Sequence, residues 1–304
     1  MSISLAMKNT VFIHTNAKQI AGAIVSAHSL KRQSADPDAF DVKIIKVEDY
    51  DYFAAHEGRK FLRNKGWRVW KNDDLQSFTP TRFMPPELMG YKGRAVVIDP
   101  DVFAVGDVNE LFNKDMGGAA IGAKPRLGHN GRADYVASSV MLLECEKLQH
   151  WKVEEQFAAM FEGTFDYYDW ITLATEPKES IYLLESTWND FDHLTSETRL
   201  LHNTKRRTQP WKTGLPIDFQ NRVPPMFSFL PNNGYILPRR YKKHPDPNQE
   251  ALFFSYLKEC LEQGLISSEE ISQEMASNHV RHDALEVMAR VEGVDSILKK
   301  VAAA

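Results

Sequence analysis

The sequence predicts an α/β fold, an open sheet flanked by helices and followed by a helical C-terminal extension. Three observations predict it. The 304-residue chain opens with a strand-then-helix unit; an apolar run of strand type at residues 95–98 stops abruptly at two carboxylates; and residues 245–304 carry only helical patterning.

Residues 11–15 read as a first buried strand, and residues 18–31 follow with Ile20, Ala23, Ile24, Ala27 and Leu30 on one stripe, an amphipathic helix. The turn between them, His14, Thr15 and Asn16, falls at a strand's carboxyl end. Open α/β sheets bind ligands there, a nucleotide base or ribose for example, although small polar residues also fill turns without any ligand. Residues 42–47 make a second strand. Residues 49–70 are rich in aromatic and charged side chains and read as partly helical, with Gly66 as the stop. Pro80 excludes helix through residues 78–81, while residues 82–89 can be helical because Pro85 and Pro86 fall in a tolerated first turn.

Residues 95–98 have the brevity and composition of a strand buried on both faces, so Asp99 and Asp101 stand at its carboxyl end with Pro100 stiffening the turn. Two hard oxygen donors at i and i+2 can share one divalent cation, Mg²⁺ or Mn²⁺. The alternative is a pair of solvated turn acids. Asp107 reads as the N-cap of the next helix with Glu110 completing a capping box, which leaves the earlier pair without that task.

Residues 117–123 form another short strand. A polar loop over 125–134 carries Arg126, His129, Asn130, Arg132 and Asp134, and residues 135–143 make a central strand. Residues 146–161 are helical with Leu148, Trp151 and Phe157 as core. Residues 181–184 form a late strand, and residues 200–202 bring His202 to the end of a short apolar run, where neutral imidazole suits a third ligand position for Mn²⁺. Asp169 is either a helix N-cap before Trp170 or a site residue. The basic, aromatic run 239–244 marks a boundary before Pro245 and Pro247, and is either solvated surface or a patch for an anionic acceptor. Helices then cover 250–263, 267–275 and 279–302.

Hydrophobic residues at 43% and charged residues at 26% are ordinary globular values. A net charge of −4 gives no nucleic-acid footprint. Residues 245–304 hold 11 acidic and 5 basic side chains, a poor membrane-surface anchor, which suits packing on the body or a homodimer contact. The opening residues lack a signal-type apolar region and no long apolar run follows, so the chain reads as cytoplasmic, with Cys145 and Cys260 as buried thiols.

Three blocks, residues 78–94 with Arg82, residues 97–111 with Asp99 and Asp101, and residues 201–212 with His202, resemble the sugar transferases of glycosyltransferase family 8 in order and separation. Weaker similarity runs from about residue 11 to 212, and the second block is the specific one. The resemblance implies a GT-A domain over residues 1–244, a Rossmann-like mixed sheet flanked by helices, ahead of the helical extension at 245–304. It implies retaining transfer of a hexose from UDP-glucose or UDP-galactose, with Asp99, Asp101 and His202 holding Mn²⁺ or Mg²⁺. The acceptor would be a glycan, a lipid-linked sugar or a small molecule.

Residue by residue, Arg82 matches an arginine that reaches the donor's phosphates or sugar, and Asp134 precedes a segment that lies near the sugar. Ala137-Ser-Ser-Val140 stands where the family shows Asn-Ser-Gly-Val or Asn-Ala-Gly-Val. Asp169 matches the last aspartate of the family's Asp-Gln-Asp sequence, and Tyr168 occupies the place of its glutamine. A Trp-Asn pair at 188–189 is shared. In the last block Gln209 replaces the lysine that contacts donor phosphate, and Lys205, Arg206, Arg207 or Lys212 would supply the charge instead. Two alternatives remain: a non-catalytic nucleotide-sugar-binding or assembly protein on the same fold, and a nucleotidyltransferase. The latter would show a glycine-rich phosphate loop after its first strand, and residues 14–18 contain no glycine.

Overall fold

The computed structural model describes residues 8–128, 134–219 and 239–303. His129, Asn130 and Arg132 of the polar loop lie outside the described residues.

Among the described residues the strands are β1 (Asn9–Thr15), β2 (Phe40–Lys46), β3 (Lys60–Arg63), β4 (Gly66–Val69), β5 (Arg94–Ile98), β6 (Val102–Ala104), β7 (Ile121–Arg126), β8 (Tyr135–Glu144), β9 (Ile181–Leu183), β10 (Asp190–Phe191) and β11 (Leu200–His202). The helices are α1 (Ile20–Arg32), α2 (Asp51–Ala54), α3 (Pro85–Leu88), α4 (Asn109–Phe112), α5 (Val153–Glu162), α6 (Tyr167–Ile171), α7 (Pro247–Glu262), α8 (Ser268–Ala276), α9 (Ala284–Arg290) and α10 (Val294–Ala302). Six strands form the main sheet in the order β2-β1-β5-β8-β7-β9, and a smaller sheet has the order β10-β11-β6. The main sheet is mixed: β1 runs parallel to β2 and β5, while β8 is antiparallel to β5 and β7.

β5 shows why the sheet forms here. Ala95 and Val97 face one core while Val96 and Ile98 face the other, so a run of four apolar residues satisfies both faces of a central strand. The first core is aromatic, with Phe53, Trp70, Phe83, Trp151, Phe157 and Trp170. The second is mainly aliphatic, with Phe40, Phe112 and Trp188 among its members, and holds one side of α1 through Ala23 and Leu30. The opposite side of α1, Ala21 and Val25, joins Phe103, Leu201 and Trp211 in a third core with Leu252, Phe253 and Leu257 of α7. α1 is therefore buried on two sides, and the C-terminal helices complete its packing.

Several elements differ from expectation for identifiable reasons. Residues 60–69 are a β-hairpin, not helix: Asn64 and Lys65 both take left-handed φ, 53° and 58°, the geometry of a tight two-residue turn. The turn is supported from afar, since the Asp166 carboxylate accepts both backbone N–H groups at 2.8 Å. Pro80 does not bar helical structure; it sits within the 3₁₀ turn Thr79–Phe83, where its missing N–H costs nothing. Pro85 and Pro86 open α3 as expected. Gly117 and Gly118 adopt positive φ and form a turn, so strand β7 starts at Ile121. Asp107 caps the Asn109 N–H, but the Glu110 carboxylate turns to Arg199 at 3.3 Å, so no capping box forms there. A capping box does form at Ser267 and Glu270. Residues 279–302 hold two helices, because Val291 is extended and Gly293 caps a new start.

Cys145 and Cys260 are buried free thiols, and burial pushes both up to about 12. Among the described residues no helix is long and apolar enough to cross a membrane.

Candidate metal site in a polar cavity

The site is built where α1 meets the end of β5. Gly22 lets the helix approach the turn, since a Cβ there would lie 2.6 Å from the Pro100 carbonyl oxygen. One turn on, Ser26 donates to the Val102 carbonyl at 2.6 Å, and Ser29 accepts from the Ala104 N–H at 2.9 Å. Tyr256 of α7 donates to the Ala104 carbonyl at 2.6 Å. The turn carrying Asp99 and Asp101 is thus pinned on both flanks before either carboxylate is used.

Asp99 is the more tightly held of the pair. Its Oδ1 accepts from Arg82 Nη2 at 2.6 Å and from His14 Nε2 at 2.7 Å. Burial works against ionisation of Asp99, but the Arg82 guanidinium and the His14 hydrogen bond outweigh it and hold the carboxyl below the usual range. His14 is fully buried, and burial pulls its pKa down against the opposing pull of Asp99; its Nδ1 lies 3.4 Å from the Phe78 carbonyl oxygen. Arg82 also donates to Ser138 Oγ at 2.7 Å, and Ser138 donates to the Ile171 carbonyl at 2.6 Å. Asp99 Oδ2 remains free of these partners and faces His202 Nε2 at 4.0 Å.

Asp101 faces the same imidazole: its Oδ1 lies 3.2 Å from His202 Nε2, and its Oδ2 accepts from Gln209 Nε2 at 3.1 Å. His202 ends β11, which pairs with β6 immediately after Asp101, so two short strands bring the groups together. Its Nδ1 lies 2.8 Å from Asn189 Oδ1; the Asn189 amide in turn donates to Ser139 Oγ at 3.0 Å. This fixes the proton on Nδ1 and turns Nε2 toward the carboxylates. Burial lowers the His202 pKa, but Asp101 and then Asp99 raise it more, and the net shift is upward. Asp99, Asp101 and His202 each offer one ligand atom, all within 4.8 Å of one another. Two carboxylate oxygens and one oriented imidazole are a donor set that fits Mn²⁺ or Mg²⁺.

These groups line a cavity of about 290 Å³. Gln19, Leu75 and Gln76 rim it on the β1 side, while Arg126, Tyr135, Phe191 and Tyr168 lie on the far side and Arg206 and Gln209 form a third wall. Thr15 and Asn16 are buried behind the rim. The Asn16 amide donates to Ser77 Oγ at 3.3 Å, and among the described residues its Oδ1 has no partner. Among the cations expected near Gln209, Arg206 lines the cavity. Lys205 is exposed outside its lining, and Lys212 is buried in an ion pair with Asp218 at 2.8 Å. Tyr168 lines the cavity, whereas Asp169 and Asp134 are exposed beyond it. Asp134 accepts from the Gly128 N–H at 2.9 Å, and Asp166, not Asp169, caps the short helix α6. Asn189 and Ser139 escaped sequence reasoning as supports of His202, although the Trp-Asn pair was visible.

No family model and no curated protein matches the sequence. Solved structures do match. The chain is similar to the glycosyltransferase GlyE of Streptococcus pneumoniae TIGR4, with 14% identity, a TM-score of 0.50, and coverage of 89% of this chain and 64% of that one. It is also similar to the galactosyltransferase LgtC in complex with donor and acceptor sugar analogs, with 16% identity, a TM-score of 0.46, and coverage of 66% and 89%. Mouse xyloside xylosyltransferase 1 matches at 14% identity, with a TM-score of 0.40 and coverage of 65% and 98%. The chain spans less than two thirds of the GlyE length. The likeness to GlyE is one of fold, and the mixed sheet flanked by helices is the GT-A arrangement that the sequence resemblance implied.

Proposed function

We propose that the chain is a metal-dependent glycosyltransferase that moves a hexose, with retention of configuration, from UDP-glucose or UDP-galactose to a hydroxyl acceptor. The observation that carries the reading is the convergence of Asp99, Asp101 and His202 on one cavity wall from separate segments.

Asp99 Oδ2, Asp101 Oδ1 and His202 Nε2 would hold the dication. When bound, it neutralises the diphosphate and the charge that develops as the nucleotide departs. The protein's own part is preparation. Arg82 and His14 keep Asp99 ionised and oriented, and Asn189 keeps the His202 lone pair free for a ligand. Among the described residues, Asp99 and Asp101 are the only carboxylates lining the cavity, so no third acid stands ready as a nucleophile. That favours attack by the acceptor hydroxyl on the leaving-group side, its proton passing to the departing phosphate oxygen. Arg206 is the cavity cation placed to replace the lysine absent at 209.

Gln209 bonding to Asp101 favours one competing reading, a nucleotide-sugar-binding protein without turnover. Isothermal titration with UDP, with and without Mn²⁺, followed by a donor-hydrolysis assay, tests both. The expected result is UDP affinity raised about tenfold or more by Mn²⁺, together with slow hydrolysis. Metal-independent or absent binding would overturn the proposal; metal-dependent binding without hydrolysis would favour the competing reading.

A further inference from the structure

Resting on the glycosyl-transfer reading of this cavity, we propose that the acceptor carries an anionic group, phosphate or carboxylate, that Arg126 recognises. The argument starts from an arginine with no counter-charge. The Arg126 guanidinium lies 4.5 Å over the Phe191 ring and 5.6 Å from that of Tyr135, its cross-strand neighbour. Among the described residues it makes no ion pair and no hydrogen bond, yet it lines the cavity. Two aromatic faces hold the guanidinium and leave its N–H edge to point elsewhere, an arrangement prepared to meet an anion at two points. Lys124, two residues earlier, is a useful contrast. Its amine also lies over Phe191, at 4.1 Å, but it already donates to the Asn189 carbonyl at 2.8 Å.

Position decides which substrate the anion belongs to. The main sheet runs β1-β5-β8-β7 across the cavity, with the carboxylates at the end of β5 and the Gln19, Leu75 and Gln76 rim on the β1 side. A nucleotide diphosphate engaged by a dication at β5 has that rim for its base. Arg126 stands on β7, two strands away in the other direction, about 10 Å at ordinary strand spacing. It also overhangs the sheet. The Asp99 N–H donates to Ser139 on β8, and Tyr135, level with Arg126, lies four residues farther out, about 13 Å along the strand. Phe191 links the two regions, since its ring lies 5.4 Å from that of His202 and 4.5 Å from the guanidinium. The transferred sugar belongs between them, and the acceptor beyond it.

The test uses the full chain saturated with UDP and Mn²⁺ and titrated with glucose 6-phosphate, glucuronate and glucose as probes. Both anionic probes should bind at least about tenfold more tightly than glucose, the scale of one charge-assisted contact. Arg126→Gln should reduce them to the level of glucose while leaving the Tm and the UDP affinity unchanged, and Arg126→Lys should restore part of the difference. Equal binding of all three probes, no binding of the anionic ones, or indifference to Arg126→Gln overturns the proposal. So does displacement of glucose 6-phosphate by UDP, which would assign the arginine to the donor diphosphate. Failure of UDP itself to bind would instead sink the glycosyl-transfer reading, and an Arg126-dependent isotherm on the free protein would still establish the anion site.

Discussion

The floor of the cavity is continuous sheet: Asp99 directly follows the five-residue strand β5, and His14 of the neighbouring β1 and Arg82 of the 79–83 turn both reach it. The strap along its side, residues 200–212, is a three-residue strand followed by 3₁₀ turns. Its ties come from far along the chain. Gln249 of α7 accepts from Asn203 at 2.7 Å, Asp192 holds Thr204 and the Lys205 N–H, and Trp211 stacks on Phe253 at 4.7 Å. Charge is concentrated in the floor, where Asp99 balances the buried Arg82 guanidinium. In the strap, support is distributed among several hydrogen bonds and packing, with one ion pair, Lys212 with Asp218, at its end. Position is set by the sheet in the first case and by the C-terminal helices in the second.

The largest expected effects come from separating the two carboxylates of the floor. Asp101→Asn removes a ligand but leaves the Arg82–Asp99 pair intact, so metal-dependent donor hydrolysis should fall about 10³-fold, roughly 4 kcal/mol of barrier, with a much smaller change in Tm than Asp99→Asn. Asp99→Asn keeps an amide oxygen but removes the negative charge that balances the buried Arg82 guanidinium. It should abolish the same activity and also cost about 3–5 kcal/mol of stability in a denaturant titration, as breaking a buried pair does. Equal stability losses in the two variants would erase the distinction between ligand and counter-ion on which the comparison stands.

This difference also explains what the sequence disclosed. The carboxylate turn was legible because a strand buried on both faces writes itself as an uninterrupted apolar run, and its end is visible as the first charge. α1 was legible through local periodicity; Leu148, Trp151 and Phe157 are fully buried core as expected, but the helix expected over 146–161 starts only at Val153, and Leu148 and Trp151 lie before it outside the helix. The β3–β4 hairpin was not legible, because Asn64 and Lys65 hold left-handed φ through Asp166, about a hundred residues away, and no local pattern records that bond. The same applies to the strap. Lys212 looked available as a cation, but its partner Asp218 and the Asn278 carbonyl bury it, and only tertiary structure shows this. Arg126 was assigned to a polar loop and given no role, because nothing in the sequence says that it ends β7 with Phe191 and Tyr135 beside it.

The strap offers the next measure. Asp218→Asn leaves the Lys212 ammonium, 1% exposed, with neutral oxygens only, the amide at 218 and the Asn278 carbonyl at 3.2 Å, in place of its counter-ion. Asp218 is itself partly open to solvent, so the cost should be about 2 kcal/mol, less than for a fully buried pair. Mn²⁺ affinity should fall no more than about threefold, because β11 stays paired with β6 and Asn203 stays on Gln249. A drop in metal affinity comparable to that of His202→Ala would show that the strap moves as one rigid piece and that its distributed support is illusory.

Asn189 joins the two regions and gives the smallest and most specific effect. It touches no substrate in the proposed reaction; it accepts from His202 Nδ1 at 2.8 Å and is itself fully buried. Asn189→Ala should weaken Mn²⁺ about tenfold, the lower end for a group that orients a metal ligand, because the imidazole loses the bond that fixes its tautomer and ring plane. The variant also leaves a cavity, so stability alone cannot report the role. Asn189→Asp separates the two effects, since it keeps the acceptor, adds negative charge behind the ring and should recover most of the metal affinity even where the Tm does not recover. Failure of the aspartate to restore affinity would mean that Asn189 only fills space between β8 and β11, and the strap would then place His202 by packing alone.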